Sequence, residues 1–361
     1  MPVTLQQIAD EAGVTAATVS RVLNGRNKEN RPSIAQRADR IRDAAQRLGY
    51  RPNQAARSTI TGRFNQVAFV TCGDLGFDWF APQLMHGLHE ALDRIGSRLS
   101  VHEMTGHQLQ DPERVPRLFR ESAVDGILAN IDGKLPPKAV EVFDEQPVPM
   151  VLLNIKRRTR CVYPDEFAGG WHAAEHLLSH GCRRPGFFMI PTGGQSPHFS
   201  QQARQAGFDA CLRRAGIESP SHASFDTDRR RSPQLGLEWA QAYLDAVGPL
   251  DGVACYDTPG ASALHSALSS RGIRVPRDLR MAVFSHQVAH AHTGIAMDTL
   301  LVPIKEVGVE AVTMIQGMID HAASRRPSAQ VVPYSQVYTA DTGLTTALDN
   351  SVVVRDDATL V

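Results

Sequence analysis

Val3-Thr-Leu-Gln-Gln-Ile-Ala-Asp-Glu-Ala-Gly-Val-Thr-Ala-Ala-Thr-Val-Ser-Arg-Val-Leu-Asn24 reads as two short capped helices joined at a glycine. Thr4 with Gln7 three residues on is a capping box, in which each side chain satisfies a free backbone N–H of the other residue. Leu5, Ile8, Ala9 and Ala12 then recur with the spacing of one buried helical stripe. Gly13 follows, where a helix can end in a left-handed conformation that costs a residue with a side chain more. Thr15 is the natural N-cap of the second helix, with Val19, Val22 and Leu23 on its inner face and Ala16, Ala17, Ser20 and Arg21 pointing elsewhere. That outer face is small at its N-terminal end and basic further along. Such a face can enter a major groove, offer methyl groups to thymine methyls, and bring a guanidinium to a guanine edge or a phosphate.

A helical hairpin that merely packs onto a larger domain would show the same hydrophobic spacing. The following residues argue for the groove-reading alternative. Ser33 and Gln36 form a second capping box before a third helix, whose apolar positions are Ile34, Ile41, Ala44, Ala45 and Leu48, and Gly49 and Pro52 end it. Residues 1–65 hold eleven Arg or Lys against five Asp or Glu, a net of +6; the whole chain holds 38 against 38, so the remainder nets −6. A basic head on an acidic body is the asymmetry expected when one end meets a polyanion.

The stretch from Val3 to Gly25, followed by Leu48-Gly-Tyr-Arg-Pro-Asn53 and Ala55-Ala-Arg-Ser58, closely resembles the headpiece of the lactose-repressor (LacI/GalR) family of bacterial transcription regulators. The resemblance implies a second helix that reads the major groove through Ala16, Ala17 and Arg21. It implies a wider DNA-facing set of Thr4, Thr15, Thr18, Ser20 and Asn24, with Asn53, Ala56, Arg57, Thr59 and Ile60 in a hinge helix formed when a dimer sits on DNA. Two departures stand out. The loop Gly25-Arg-Asn-Lys-Glu-Asn-Arg-Pro32 is longer and more basic than the family pattern, which adds phosphate contacts rather than base reading. The hinge position that holds a minor-groove leucine wedge in the family is Thr59 here, with Ile60 following. Wedges work by placing apolar surface between base steps, so either Ile60 takes that role or the operator is kinked less.

The 361 residues allow a head and a body of one or two lobes, and 42% hydrophobic with 21% charged residues are the proportions of a soluble globular protein. No run of about 18 apolar residues is present to span a membrane, and the N-terminus has neither a basic nor an apolar secretory region. The expectation is a cytoplasmic protein. The cysteines, Cys72, Cys161, Cys182, Cys211 and Cys255, are scattered and odd in number, and read as buried free thiols.

Residues 53–65 read as hinge and linker. From Gln66 short apolar strands, expected at 67–71, 126–130, 150–153, 186–190, 252–256 and 281–284, alternate with helical stretches near 80–95, 111–122, 167–180, 200–215, 234–247, 260–271 and 304–324. This alternation means parallel sheets with right-handed crossovers. Ligands in such sheets bind beyond the carboxyl ends of the strands. The family resemblance continues, more loosely, through Val148-Pro-Met-Val-Leu-Leu-Asn154, Asp165 with Gly169-Gly170, His176-Leu-Leu-Ser-His-Gly-Cys-Arg-Arg184, Arg204 before Gly207-Phe208, and Gly272-Ile-Arg-Val-Pro-Arg-Asp-Leu279. It implies an all-α helix-turn-helix headpiece (1–52) plus an α/β, two-lobed, periplasmic-binding-protein-like core with parallel sheets (66–344). The chain would cross between the lobes near 163, 299 and 330. Residues 333–338 would be the last strand, and the tail 345–361 has no expected role.

At the strand ends Asp74, Trp79, Phe80, Arg204 and Asp257 are the expected effector contacts: an aromatic face covers the apolar side of a ligand, while a carboxylate and a guanidinium fix its hydroxyls. The alternative reading makes Trp79 and Phe80 lobe core and Asp257 a helix cap. At Val283-Phe-Ser-His286 the family usually has two acidic residues, so Ser285 and His286 point away from a plain hexose toward a larger or anionic ligand, since histidine can donate a hydrogen bond or carry charge near neutrality. His286, His290 and His292 lack a zinc signature and read as a solvated loop, as do the arginines at 229–231. No cofactor or metal is expected. The expected partners are near-palindromic operator DNA, a sugar or related metabolite, and a second copy of the chain. An enzyme on the two-lobed body is the competing class, but no G-x-S-x-G elbow or P-loop supports it, and Gly193-Gly194 reads as a loop. A binding protein without DNA function conflicts with the intact head.

Overall fold

The computed structural model describes residues 3–23, 32–50, 62–72, 82–104, 123–131, 148–190, 198–218, 233–321 and 326–355. Asn24, the basic loop at 25–31, the hinge residues Asn53, Ala56, Arg57, Thr59 and Ile60, the strand-end candidates Asp74, Trp79 and Phe80, the expected helix at 111–122, Gly193-Gly194 and the arginines at 229–231 lie outside the described residues, as does the side chain of Ser33. The chain divides into two compact units, Met1–Phe64 and Asn65–Val361.

In the first unit, helices α1 (Leu5–Ala12), α2 (Ala16–Leu23) and α3 (Pro32–Arg47) surround a small core of Ile8, Ala9, Val19, Val22, Ala38, Ile41, Ala44 and Ala45. The capping box is complete: Gln7 N–H donates to Thr4 Oγ1 at 3.3 Å, and Thr4 N–H donates to Gln7 Oε1 at 2.8 Å. Gly13 ends α1 at φ 65°, in the left-handed region. Thr15 Oγ1 accepts the Thr18 N–H at 3.3 Å, as an N-cap does.

The second unit holds two six-stranded sheets. Its first lobe is built from β1 (Gln66–Cys72), α4 (Pro82–Arg94), β2 (Arg98–Met104), β3 (Gly126–Ile131), β4 (Met150–Leu153) and β5 (Cys161–Pro164). The chain then enters the second lobe through α5 (Glu166–Ser179), β6 (Pro185–Phe188), α6 (Phe199–Arg214), α7 (Pro233–Val247), β7 (Gly252–Cys255), α8 (Thr258–Ser270), β8 (Arg280–Ser285), α9 (His290–Thr293) and β9 (Asp298–Leu301). It returns to the first lobe for α10 (Ile304–Asp320) and β10 (Gln330–Val332), and ends in the second with β11 (Gln336–Thr339) and β12 (Leu344–Ala347). The sheet orders are β10-β5-β4-β3-β1-β2 and β12-β11-β9-β8-β7-β6.

Three crossovers therefore join the lobes, each within a few residues of the positions expected near 163, 299 and 330. Alternate residues of β1 serve opposite sides of the first sheet: Val67 and Phe69 face α4 and α10, while Ala68 and Val70 belong to the cluster on the other face. Burial on both faces is why these strands read as continuous apolar runs.

Five of the described strands, β2, β5, β9, β10 and β12, escaped the sequence reading. β2 is an edge strand with polar residues at half its positions, β5 and β10 are short, and β9 opens on a buried aspartate, Asp298. The sheets are also not wholly parallel, because β11 pairs antiparallel with both β9 and β12. Of the expected last strand at 333–338, the first part is the third crossover, and the sheet continues past the expected end of the core at 344.

Two glycines set how closely α5 and α6 approach. A Cβ on Gly170 would lie 1.8 Å from the Arg204 carbonyl oxygen, and one on Gly207 would lie 1.9 Å from that of Phe167. Side chains at either position would force the helices apart and carry Arg204 away with α6.

Candidate DNA interface and effector cleft

On α2, Ala17 and Arg21 are exposed and one helical turn apart, so they share a face. Ala16, expected on that face, is half-buried and packs against the head's core. Ala17 is therefore the exposed methyl of that first turn. Thr15 and Thr18 hold each other, their hydroxyl oxygens 3.0 Å apart, and Ser20 is half-buried. Thr4 remains exposed at the start of α1.

In the core, the carboxyl ends of the strands carry a connected set of polar groups. Arg204, on α6, is buried, and its Nε and Nη2 donate to the two carboxylate oxygens of Glu166 at 2.5 and 3.0 Å. Its Nη1 donates to the Tyr256 carbonyl at 3.1 Å. The guanidinium carbon stands 4.4 Å from the Phe284 ring centroid and 4.8 Å from that of Tyr256. Tyr334, wholly buried in the third crossover, donates its hydroxyl to Glu166 Oε2 at 2.8 Å. Desolvation is the largest influence and opposes the charge on Arg204, but Glu166, Tyr334 and Tyr256 together outweigh it, and the arginine pKa lies above its ordinary value. Burial raises the phenol pKa of both Tyr334 and Tyr256. The site thus places a fixed, satisfied ion pair where the first and third crossovers meet.

A second chain of hydrogen bonds runs from this floor to the other lobe. His198 Nε2 meets the Asn154 carbonyl, at the end of β4, at 2.8 Å. A carbonyl only accepts, so Nε2 carries the proton. Nδ1 accepts the Ser200 N–H at 3.3 Å and so takes the Ser200 hydroxyl proton at 2.7 Å. Ser200 Oγ then accepts from the Tyr256 hydroxyl, also at 2.7 Å. The direction of every bond is fixed by that one carbonyl. Gln83, near the start of α4, adds a second link between lobes by donating to Gln287 Oε1 at 3.2 Å.

Of the expected effector contacts, Arg204 sits at the cleft floor but is held by Glu166. Asp257 caps α8, accepting the Gly260 N–H at 2.8 Å, which is the alternative reading of that residue. Ser285 ends β8 and His286 follows it. The His286 ring is open to solvent, yet desolvation first and the charge of Arg204 second push its pKa down to about 4. A lowered pKa favours the neutral ring near pH 7, so of the two expected roles, donating a hydrogen bond and carrying charge, it favours the first.

Glu166, His198, Ser200, Tyr256 and Tyr334 were not foreseen. Only Glu166 left a local trace, as a carboxylate one residue after Asp165 and shortly before the Gly169-Gly170 landmark. The histidines at 290 and 292 fall in the short helix α9, and His290 Nδ1 bonds the Ile295 carbonyl at 2.9 Å. Cys161, Cys182, Cys211 and Cys255 are buried free thiols, as expected, and burial raises Cys182 to about 11 and Cys211 to about 12. The side chain of Cys72 lies outside the described residues. No described helix is long and apolar enough to cross a membrane.

Residues 4–53 match the model for bacterial regulatory proteins of the lacI family, and residues 174–339 match that for the periplasmic binding protein-like domain. The HTH-type transcriptional regulator DegA of Bacillus subtilis (strain 168) is 26% identical over 319 residues, covering 86% of this chain and 89% of its own. A structure of the transcriptional regulator CelR in complex with cellobiose superposes with a TM-score of 0.61 at 23% identity, covering 96% of this chain and 98% of that one. The lac repressor dimer bound to operator and the anti-inducer ONPF superposes at 0.71 with 19% identity, covering 92% and 97%. Those two likenesses concern the fold; the matched head and the relatives carry the function. A capped helix pair built to enter a groove, joined to a two-lobed core, gives the chain a lacI-family DNA-binding head at residues 4–53 and a periplasmic binding protein-like domain at 174–339, the make-up of a DNA-binding transcriptional regulator.

Proposed function

We propose that the protein acts in the cytoplasm as a homodimeric repressor that reads a near-palindromic operator through Ala17 and Arg21. A sugar or related metabolite between the lobes sets its operator affinity. Two heads on a dimer meet two half-sites, and a ligand that favours one lobe arrangement shifts the population competent for that spacing. Such a ligand must bind the two arrangements with different affinity. No enzymatic step is assigned to the cleft.

The observation that carries the effector reading is the buried Arg204–Glu166–Tyr334 cluster, which ties together two of the three crossovers at the carboxyl ends of the strands. A ligand that displaces any of these bonds must also move the hinge. Relatives support the ligand class: one is known in complex with cellobiose, and the lac repressor has been seen as a dimer on operator. With Ser285, neutral His286 and Gln287 on the second-lobe wall, the ligand's polar edge meets hydroxyl, imidazole and amide rather than acid.

The test is calorimetric titration of the full chain with cellobiose and a panel of mono- and disaccharides, repeated with operator-length duplex present. A binder that changes duplex affinity at least severalfold supports the reading. Failure of every sugar to alter duplex affinity counts against a sugar effector. The state of His286 can be checked directly. An NMR titration of its ring is expected to show a midpoint near 4, not the ordinary value near 6.5. With the folded value depressed, the unfolded chain binds the proton first. Folding stability from this residue is therefore full above about pH 6.5 and falls as pH is lowered toward 4.

A further inference from the structure

After β12 the chain turns back onto the crossovers. Leu348 N–H donates to the Ser335 carbonyl at 3.0 Å, and Asn350 Nδ2 donates to the Tyr334 carbonyl at 2.8 Å. Asn350 Oδ1 accepts from His172 Nε2, on α5, at 3.1 Å. Leu348 and Val353 pack against the second-lobe core, and Arg355 pairs with Asp165 while its guanidinium stands 5.2 Å from the Phe167 ring centroid. Eight residues thus grip the third crossover at Tyr334 and Ser335, the first at Asp165 and Phe167, and the helix that follows it. The two crossovers are themselves joined, because Asp165 N–H donates to the Val332 carbonyl at 2.8 Å.

We propose that residues 348–355 are a hinge strap, and that Asn350 and Arg355 are positioning residues that restrain the motion of one lobe against the other. Lobe motion in a two-lobed body is absorbed by a few residues of the connecting segments. Here two of those segments are cross-linked from outside by side chains that lie beyond the last strand. The strap reaches the cleft floor through the same residues: Tyr334, whose carbonyl Asn350 holds, uses its hydroxyl on Glu166, and Glu166 follows Asp165 directly. Loosening the strap frees the crossovers first and leaves the sheets intact, since neither Asn350 nor Arg355 belongs to a core cluster. The inference rests on hinge contacts alone and does not depend on the identity of the effector.

The experiment is hydrogen exchange with mass spectrometry on the full chain, comparing Arg355→Ala, Asn350→Ala and the conservative Arg355→Lys. Peptides over the first and third crossovers are expected to exchange about threefold or more faster in the two alanine variants, the scale set by losing one partly exposed ion pair or hydrogen bond. Peptides from β3 and β7 should keep their rates, and Arg355→Lys should restore part of the protection by retaining the charge. Unchanged exchange at the crossovers overturns the proposal. So does equal acceleration throughout the core, which would make the segment ordinary structural packing.

Discussion

Arg204→Ala is expected to cost the core about 3–5 kcal/mol, the usual penalty for removing one partner of a buried ion pair. Glu166, only 3% exposed, would keep the Tyr334 hydroxyl but lose both guanidinium bonds, and the space between the Tyr256 and Phe284 rings would empty. The penalty belongs to the stranded carboxylate more than to the missing attraction. Arg204→Met combined with Glu166→Gln should therefore recover most of the loss, because it removes both charges and keeps the volume. Urea unfolding of the core, followed by its tryptophan fluorescence, measures both variants. If the double variant were as unstable as the single one, the pair would itself be a net source of stability. Both variants should lose response to any effector, since the cleft floor is altered in each.

Arg21→Ala is the second large effect, and it falls on the head. Loss of one side chain that contacts a base edge costs about 1–3 kcal/mol against the cognate site and relaxes specificity at that position. The exposed position of Arg21, on the same face as Ala17, is what makes base contact its expected role. Operator and random duplex should be titrated side by side at fixed salt. An equal loss on both, with the salt slope falling by about one, would make Arg21 a phosphate contact only.

Much of this was legible because it is local. A capping box, a terminal glycine and one apolar stripe are written within a dozen residues, and α1 and α2 form as those signals specify. The two-lobed body was legible from its alternation of apolar runs and amphipathic stretches. The edge strand β2 and the strand opening on Asp298 were not, because polar residues sit where an apolar pattern was sought. Asp298 is tolerated at a buried strand start because His176, Arg280 and the Ala340 N–H all meet its carboxylate, which holds its pKa below the ordinary value despite burial.

The cleft was least legible, since its partners are distant in sequence. Tyr334 and Glu166 are 168 residues apart, and His198 finds Asn154 only when the lobes come together. Asp257 shows the opposite case, a local signal. Its cap was readable from Asp257-Thr-Pro259, where a proline in the first helical turn follows an aspartate, and the structure uses the residue in that way.

The central claim, a dimer that reads a specific operator, is tested most directly by selecting bound sequences from random duplex DNA with the full-length protein and measuring affinity for the winners across a salt series. The account predicts enrichment of a near-palindrome whose two half-sites bind with one stoichiometric dimer, with specific affinity exceeding that for random duplex by about 10³-fold or more. The centre of the enriched site would also report on Thr59 and Ile60, since a retained wedge selects a deformable step there. Binding that is steeply salt-dependent but enriches no sequence, with or without added sugars, would contradict it and leave the head a nonspecific anchor.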